Sequence, residues 1–231
     1  MLVRVSATFA RLRAALRRAA PTERSVAEGA AAVRAQDALG LSPGALTALL
    51  GVAGVGCCAA MAMPQVHLVA YCGDLGYGVA RGAEMLSLML GCSLISRLAC
   101  GLIADRIGGV ATLLISSTLQ GVGLLLYIGF DGLTSLYVIS ALFGLFQGGL
   151  IPTYAVIVRE YFAPAEAGFR LGTILMATVL GMALGGWMSG AIFDLTGSYR
   201  AAFVAGLLWN LLNISIALWI ILRRERRLAL A

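Results

Sequence analysis

The chain has 231 residues, of which 60% are hydrophobic and only 12% are charged, and its mean hydropathy is +0.92. A soluble domain carries roughly 25% charged residues, so this composition excludes a water-soluble globule and indicates a polytopic membrane protein. The net charge is +6, and all 17 of the lysine and arginine positions that contribute to it are arginines. Most of them flank apolar segments, as topology signals do, which argues against nucleic acid as a partner.

The N-terminal segment, residues 1–20, contains five arginines and no acid. Helical spacing puts its apolar side chains on one face and most arginines on the other, so we predict an amphipathic helix lying on an anionic membrane surface. An organellar presequence and a solvated segment without function are the alternatives. Residues 21–45 are rich in Ala, Gly and polar residues, and they predict a flexible cytoplasmic linker.

Six apolar segments follow, and each is long enough to span a bilayer, since a spanning helix needs about 20 residues. They cover approximately residues 46–71, 79–104, 110–130, 135–161, 169–193 and 201–222. We therefore predict an all-α membrane domain with six transmembrane helices over residues 46–222, followed by a basic cytoplasmic tail at 223–231. Fourteen arginines fall on the side of the chain ends and two, Arg81 and Arg200, on the other. This asymmetry predicts that both termini are cytoplasmic.

The turn after the second segment, residues 101–109, reads Gly-Leu-Ile-Ala-Asp-Arg-Ile-Gly-Gly. Its ionised Asp-Arg pair belongs in water or headgroups, and its glycines permit a tight turn. This pattern resembles the loop motif of the major facilitator superfamily. The resemblance extends to three further stretches, residues 64–76, 144–172 and 190–199.

The resemblance covers only the C-terminal half of such a carrier. It implies half of a twelve-helix fold, with the substrate bound between two six-helix halves near the membrane midplane. A second six-helix half or a second copy of the chain would then be a partner, besides the lipid bilayer. The resemblance also implies a conformational latch formed by Gly101, Asp105, Arg106 and Gly108, for which a plain turn is the alternative.

Within the superfamily, the chain is most similar to monocarboxylate and oxalate/formate-type carriers. This likeness depends on His67, on the Asp-Leu-Gly of residues 74–76, and on Arg97 before Leu-Ala-Cys-Gly. In those carriers an arginine at this place in the eighth helix faces the cavity and binds the substrate carboxylate. The resemblance therefore implies that Arg97 binds a small organic anion.

Arg97 is also the one charge placed deep in an apolar segment. Its guanidinium stays charged and must meet water, a carboxylate or carbonyl groups, and a carboxylate fits it with two parallel hydrogen bonds. The alternative is an arginine that reaches back to the membrane surface or pairs within the protein.

Other polar residues in the spans are weaker candidates. Gln147, Tyr154 and Asn210 are predicted to line the substrate cavity, with interhelical hydrogen bonding as the alternative. His67 and Glu84 are candidates for proton coupling. The alternatives are a packing histidine and an interfacial acid next to Arg81.

We therefore expect a membrane transporter for small organic anions such as monocarboxylates, working by alternating access with proton coupling or antiport. A non-transporting membrane interaction protein is the alternative. The sequence contains no pattern for a catalytic residue, metal or cofactor, so we expect no enzyme. The five cysteines are interpreted as small packing residues. The bacterial inner membrane is the expected location.

Overall fold

Helices make up all regular secondary structure in the described part of the chain, residues 23–229 of the computed structural model. Eight helices lie within these residues: α1 Glu23–Leu39, α2 Pro43–Asp74, α3 Val79–Ile107, α4 Gly109–Gly129, α5 Leu133–Gln147, α6 Leu150–Tyr161, α7 Pro164–Thr196 and α8 Tyr199–Leu228. The amphipathic helix predicted at residues 1–20 lies outside the described residues.

Six stretches of helix are long and apolar enough to cross a bilayer, which confirms the predicted all-α fold with six spans. Helices α2, α3, α4, α7 and α8 are single spans, and α5 with α6 forms the fourth. Several helices extend a few residues beyond the apolar segments, and α2 is capped by a polar side chain. At the start of α2, Ser42 Oγ accepts the Ala45 N–H at 3.2 Å, and Pro43 occupies the first turn.

The fourth span is divided at Gly148 and Gly149, although the sequence predicts one helix there. Pro152 has no N–H to donate to the Gly148 carbonyl four residues earlier, so the hydrogen-bond ladder is interrupted. Gly148 also presses against α3, because a Cβ on it would lie only 2.7 Å from the Ser93 Cα. The fourth span therefore consists of two helices.

Residues 23–39 form helix α1, so the prediction of a flexible segment is wrong for this part of the linker. Ala32 and Leu39 are buried against the bundle. The Arg223 guanidinium at the end of α8 donates to the carbonyls of Leu39 (2.7 Å) and Gly40 (3.3 Å). Gly40, with φ of +58°, adopts the left-handed conformation that ends many helices. An alanine-rich segment forms a stable helix once such contacts fix it.

The contact between α1 and α8 defines one end of the bundle, which we name the α1 end. At the opposite end, named the far end, the Arg200 guanidinium pairs with the Asp131 carboxylate at 3.0 Å. The Tyr77 hydroxyl donates to the Asp131 carbonyl at 3.0 Å. These contacts therefore hold the α2–α3 loop and the start of α8 against the α4–α5 loop.

Helix α2 is the centre of the bundle. In its most apolar stretch of 18 residues, 72% of the residues are buried, compared with 22% in the corresponding stretches of α3 and α7. It crosses α7 closely, because a Cβ at Gly185 would lie 2.6 Å from the Ala59 Cα and one at Gly181 would lie 2.8 Å from the Val55 Cα. Small residues allow such backbone contact between spanning helices. Helices α3 and α7 each leave a wide apolar face uncovered by the rest of the described chain.

Candidate functional site

Arg97 lies on the exposed side of α3, ten residues before the helix ends at Ile107. At a rise of 1.5 Å per residue, its Cα is about 15 Å from the α1 end of the helix. Its neighbours Leu94, Ile95 and Leu98 are 61%, 62% and 76% exposed. A charge at this depth is costly against lipid. This face of α3 therefore suits water, an anion or another protein.

No carboxylate among the described side chains forms an ion pair with Arg97; the ion pairs between described side chains join Arg81 to Glu84, Arg170 to Glu166 and Arg200 to Asp131. A guanidinium presents up to five N–H donors in a planar fork. The donors of Arg97 are therefore available to a ligand that approaches the uncovered face of α3.

Tyr154, one of the three predicted lining residues, is fully buried inside the bundle rather than on the face of Arg97. Its hydroxyl donates to Asn213 Oδ1 at 3.3 Å, and the Asn213 amide donates to Ser117 Oγ at 2.7 Å. These contacts join α6, α8 and α4. They fit the alternative interpretation of Tyr154 as an interhelical hydrogen-bonding residue.

Asn210 belongs to a second part of this network. Its amide donates to Gln120 Oε1 at 2.9 Å, and the Gln120 amide donates to the Cys57 carbonyl at 3.2 Å. The polar pairs are three residues apart on both helices, at 117 and 120 on α4 and at 210 and 213 on α8. This matched spacing is the sequence signal from which the network could have been predicted.

Gln147, the third predicted lining residue, is 1% exposed and lies at the end of α5, next to the break in the fourth span. Neither atom of its amide has a hydrogen-bond partner among the described residues. An unpaired amide is expensive in the membrane interior. Its polar group is therefore available to water or a ligand.

His67 lies in the far-end part of α2, where its Nε2–H donates to the Gly186 carbonyl of α7 at 3.0 Å. Gly190 leaves room for the ring, since a Cβ there would lie 3.5 Å from His67 Cε1. These contacts involve α7 rather than α3. They fit the alternative of a hydrogen-bonded packing histidine.

Glu84 is exposed near the start of α3. Arg81 donates to its Oε2 at 3.2 Å, and the Tyr137 hydroxyl of α5 donates to the same oxygen. Both contacts stabilise the carboxylate, which fits the alternative of an interfacial acid paired with Arg81. Sequence reasoning missed Tyr137, because no local pattern connects it to α3.

The predicted latch residues Asp105 and Arg106 are exposed in the last turn of α3. Gly108, with φ of +87°, makes the turn into α4. The Gly109 N–H that begins α4 donates to both carboxylate oxygens of Glu160, at 2.9 and 3.0 Å. A carboxylate is favourable at a helix N-terminus. Glu160, which was not among the predicted latch residues, thus holds this turn against the end of α6.

The glycines of the motif differ in what surrounds them. A Cβ on Gly109 would lie 2.6 Å from Ile157 Cγ1, so α4 starts in close contact with α6. A Cβ on Gly101 would meet nothing within 4 Å in the described chain. Contacts within the described residues therefore require a glycine at 109, whereas none of them requires one at 101.

Residues 48–230 match the Major Facilitator Superfamily. Because the match covers most of the chain, the chain belongs to this superfamily of membrane transporters, as its motifs predict. It is a multi-pass membrane protein, with six apolar spans in the part of the chain that the structure describes.

Among proteins of known name, Monocarboxylate transporter 13 of Rattus norvegicus is 35% identical over 144 residues, which are 62% of this chain and 34% of the rat protein. The protein of the same name from Bos taurus gives the same values. The MFS-type transporter opdF of Penicillium oxalicum is 26% identical over 131 residues, which are 56% of this chain and 31% of the fungal protein. The matched part thus spans about a third of these relatives.

Membership in a transporter family supports the expectation that the chain is not an enzyme. It also implies the lipid bilayer and a small molecule as the partners that such a protein meets.

Proposed function

We propose that this chain acts as the C-terminal half of a secondary transporter for small organic anions such as monocarboxylates. The observation that carries the proposal is Arg97, a fixed cation at spanning depth on an uncovered helix face. Arginine binds a carboxylate with two parallel hydrogen bonds. The names of the two mammalian relatives support the same substrate class.

The uncovered faces of α3 and α7 are the surfaces for the partner. A second six-helix half, or a second copy of the chain, covers them and closes a cavity around Arg97. Gln147 remains a predicted lining residue, because its amide has no partner among the described residues, whereas Tyr154 and Asn210 belong to the hydrogen-bond network inside the bundle. Rocking of the halves exposes the cavity to each side in turn, with the turn around Asp105 and Arg106 as latch, and a proton or an exchanged anion drives the cycle.

The arginine distribution supports a cytoplasmic location for the α1 end, and with it for both termini. The bacterial inner membrane is the proposed location. Placing a small reporter domain after Ala231 and measuring its accessibility from either side of inverted vesicles tests this orientation.

The test of function is uptake of radiolabelled lactate and pyruvate by proteoliposomes that contain the full chain together with its six-helix partner. Arg97→Gln should lower uptake about tenfold or more, because a hydrogen bond to a charged group contributes about 1.5–3 kcal/mol. Arg97→Lys keeps the charge but cannot form two parallel hydrogen bonds with a carboxylate, so it should give intermediate uptake.

Arg200→Gln is the matched control, since this exposed arginine at the far end is remote from the proposed anion site. Uptake that is equally high with Arg97→Gln would contradict the anion site. Uptake of neutral solutes but not of carboxylates would contradict the substrate class.

The same uncovered faces also favour a second function, a membrane interaction protein that binds a partner without transport. Both functions need the faces of α3 and α7, but only the transporter needs Arg97. A chain that binds its partner normally while Arg97→Gln has no effect on any solute flux would support this second function.

A further inference from the structure

The last turns of α8 combine apolar side chains with arginines on one stripe. A cavity of about 350 Å³ is lined there by Trp219, Leu222, Arg223, Arg226 and Arg227. Their spacing of three and four residues places them on one side of the helix. Trp219 and Leu222 are 41% and 43% exposed near the end of a spanning helix. Such positions face the interface between acyl chains and headgroups.

The lining of this cavity is positive, since it contains three arginines and no carboxylate among the described residues. Glu225 lines a different cavity on another side of α8, together with Arg224 and Glu160. The carboxylates therefore lie on the other side of α8, beside Arg224, and the cavity with Trp219 is lined by positive charge alone.

One of the three arginines already has partners. The Arg223 guanidinium lies 5.0 Å from the centroid of the Trp219 ring and donates to the carbonyls of Leu39 and Gly40. Arg226 and Arg227 lie one turn further along and are exposed, with the Arg227 guanidinium against Gly40. These two guanidinium groups line the cavity together with the Trp219 ring.

We propose that this stripe binds the phosphate group of an anionic lipid in the leaflet at the α1 end. Arg226 and Arg227 donate charge-assisted hydrogen bonds to phosphate oxygens, while Trp219 and Leu222 contact the first carbons of the acyl chains. The apolar side chains in the lining favour a lipid over free phosphate, because a soluble anion gains nothing from contact with them. The proposal requires only that the chain spans a membrane and does not depend on the transport function.

The test is native mass spectrometry of the full chain in detergent, titrated with phosphatidylglycerol or phosphatidylcholine. We expect preferential binding of phosphatidylglycerol. Arg226→Gln with Arg227→Gln should weaken the binding of phosphatidylglycerol roughly tenfold or more, since each basic residue near an anionic membrane surface contributes substantially to the affinity for the lipid. The matched control is Arg159→Gln with Arg224→Gln, which removes the same charge from the same end of the bundle and should leave most of the affinity.

Two further variants separate a binding site from a folding effect. Arg226→Lys with Arg227→Lys keeps the charge and should keep much of the affinity, and Trp219→Ala should weaken lipid binding at constant charge. Equal losses in the two glutamine pairs would overturn the proposal, because they would show general attraction. Equal binding of phosphatidylcholine, or displacement of phosphatidylglycerol by millimolar inorganic phosphate, would also overturn it.

Discussion

The Glu160 carboxylate, at the end of α6, accepts the Gly109 N–H with both of its oxygens. The contact places a negative charge at the start of α4 and closes the turn that begins at Gly108. Its geometry suits a charge-assisted hydrogen bond reinforced by the helix dipole. A single side chain thus joins two spans at the α1 end.

Replacing Glu160 by Gln keeps the shape of the side chain and removes its charge. We expect the free energy of unfolding to fall by about 1–2 kcal/mol, because the charge-assisted contact with the start of α4 is lost. Thermal unfolding of the purified chain in detergent measures the change. Glu225→Gln is the control, and equal stability of the two variants would show that the Gly109 contact contributes nothing.

Single residues were predictable where the chemistry is local. Arg97 was found because one charge interrupts an apolar segment, and Arg81 was named beside Glu84 because the two are three residues apart. The contacts of Glu160 with Gly109 and of Tyr137 with Glu84 join residues that are 51 and 53 positions apart. Such pairs depend on how the helices pack, which no sequence spacing specifies.

At the scale of elements, the crossing of α2 and α7 depends on glycines. Gly185→Ala would place a Cβ 2.6 Å from the Ala59 Cα, and we expect destabilisation by about 1–3 kcal/mol as the backbones move apart. Gly172→Ala, on the same helix, would meet nothing within 4 Å, and we expect it to stabilise the helix by up to about 1 kcal/mol. Opposite signs in thermal unfolding would confirm this difference, and equal effects would contradict it.

Helix α1 is held at its C-terminus by Arg223. Arg223→Gln should release it, and a cysteine introduced at the buried Ala32 should then react about tenfold faster with a maleimide. The background carries Cys92→Ser, because Cys92 is the partly exposed one of the native thiols. Arg226→Gln is the control, because Arg226 lines the opposite side of α8 from the cavity that contains Ala32. Unchanged labelling in Arg223→Gln would show that other contacts hold α1.

The six spans were predictable because length and apolar content are sufficient to identify a membrane helix. Helix α1 was not, since its sequence is polar and alanine-rich and its order depends on carbonyl contacts with an arginine 184 positions away. The break in the fourth span could have been predicted from Pro152, which interrupts helical hydrogen bonding. Its place at Gly148 and Gly149 follows from the close approach of α3.

At the scale of the whole molecule, the uncovered faces of α3 and α7 predict where the proposed partner binds. A cysteine at Leu98, which is 76% exposed on α3, should react readily in the isolated chain and slowly in the assembled transporter. A cysteine at Leu208, which is 63% exposed on α8, is the control and should react equally in both. Maleimide labelling in detergent measures the rates, again with Cys92→Ser. Equal protection at both positions would contradict the proposed interface.

The division of the fourth span into two helices gives the bundle a point at which it can bend. Helix α5 packs on α3 and α4, whereas α6 packs on α4, α7, α3 and α1. The two segments of one membrane crossing share α3 and α4 as neighbours, but only α6 also packs on α7 and α1. The missing hydrogen bond at Pro152 lowers the resistance to bending between them, so the fourth span is the place where this bundle bends most easily.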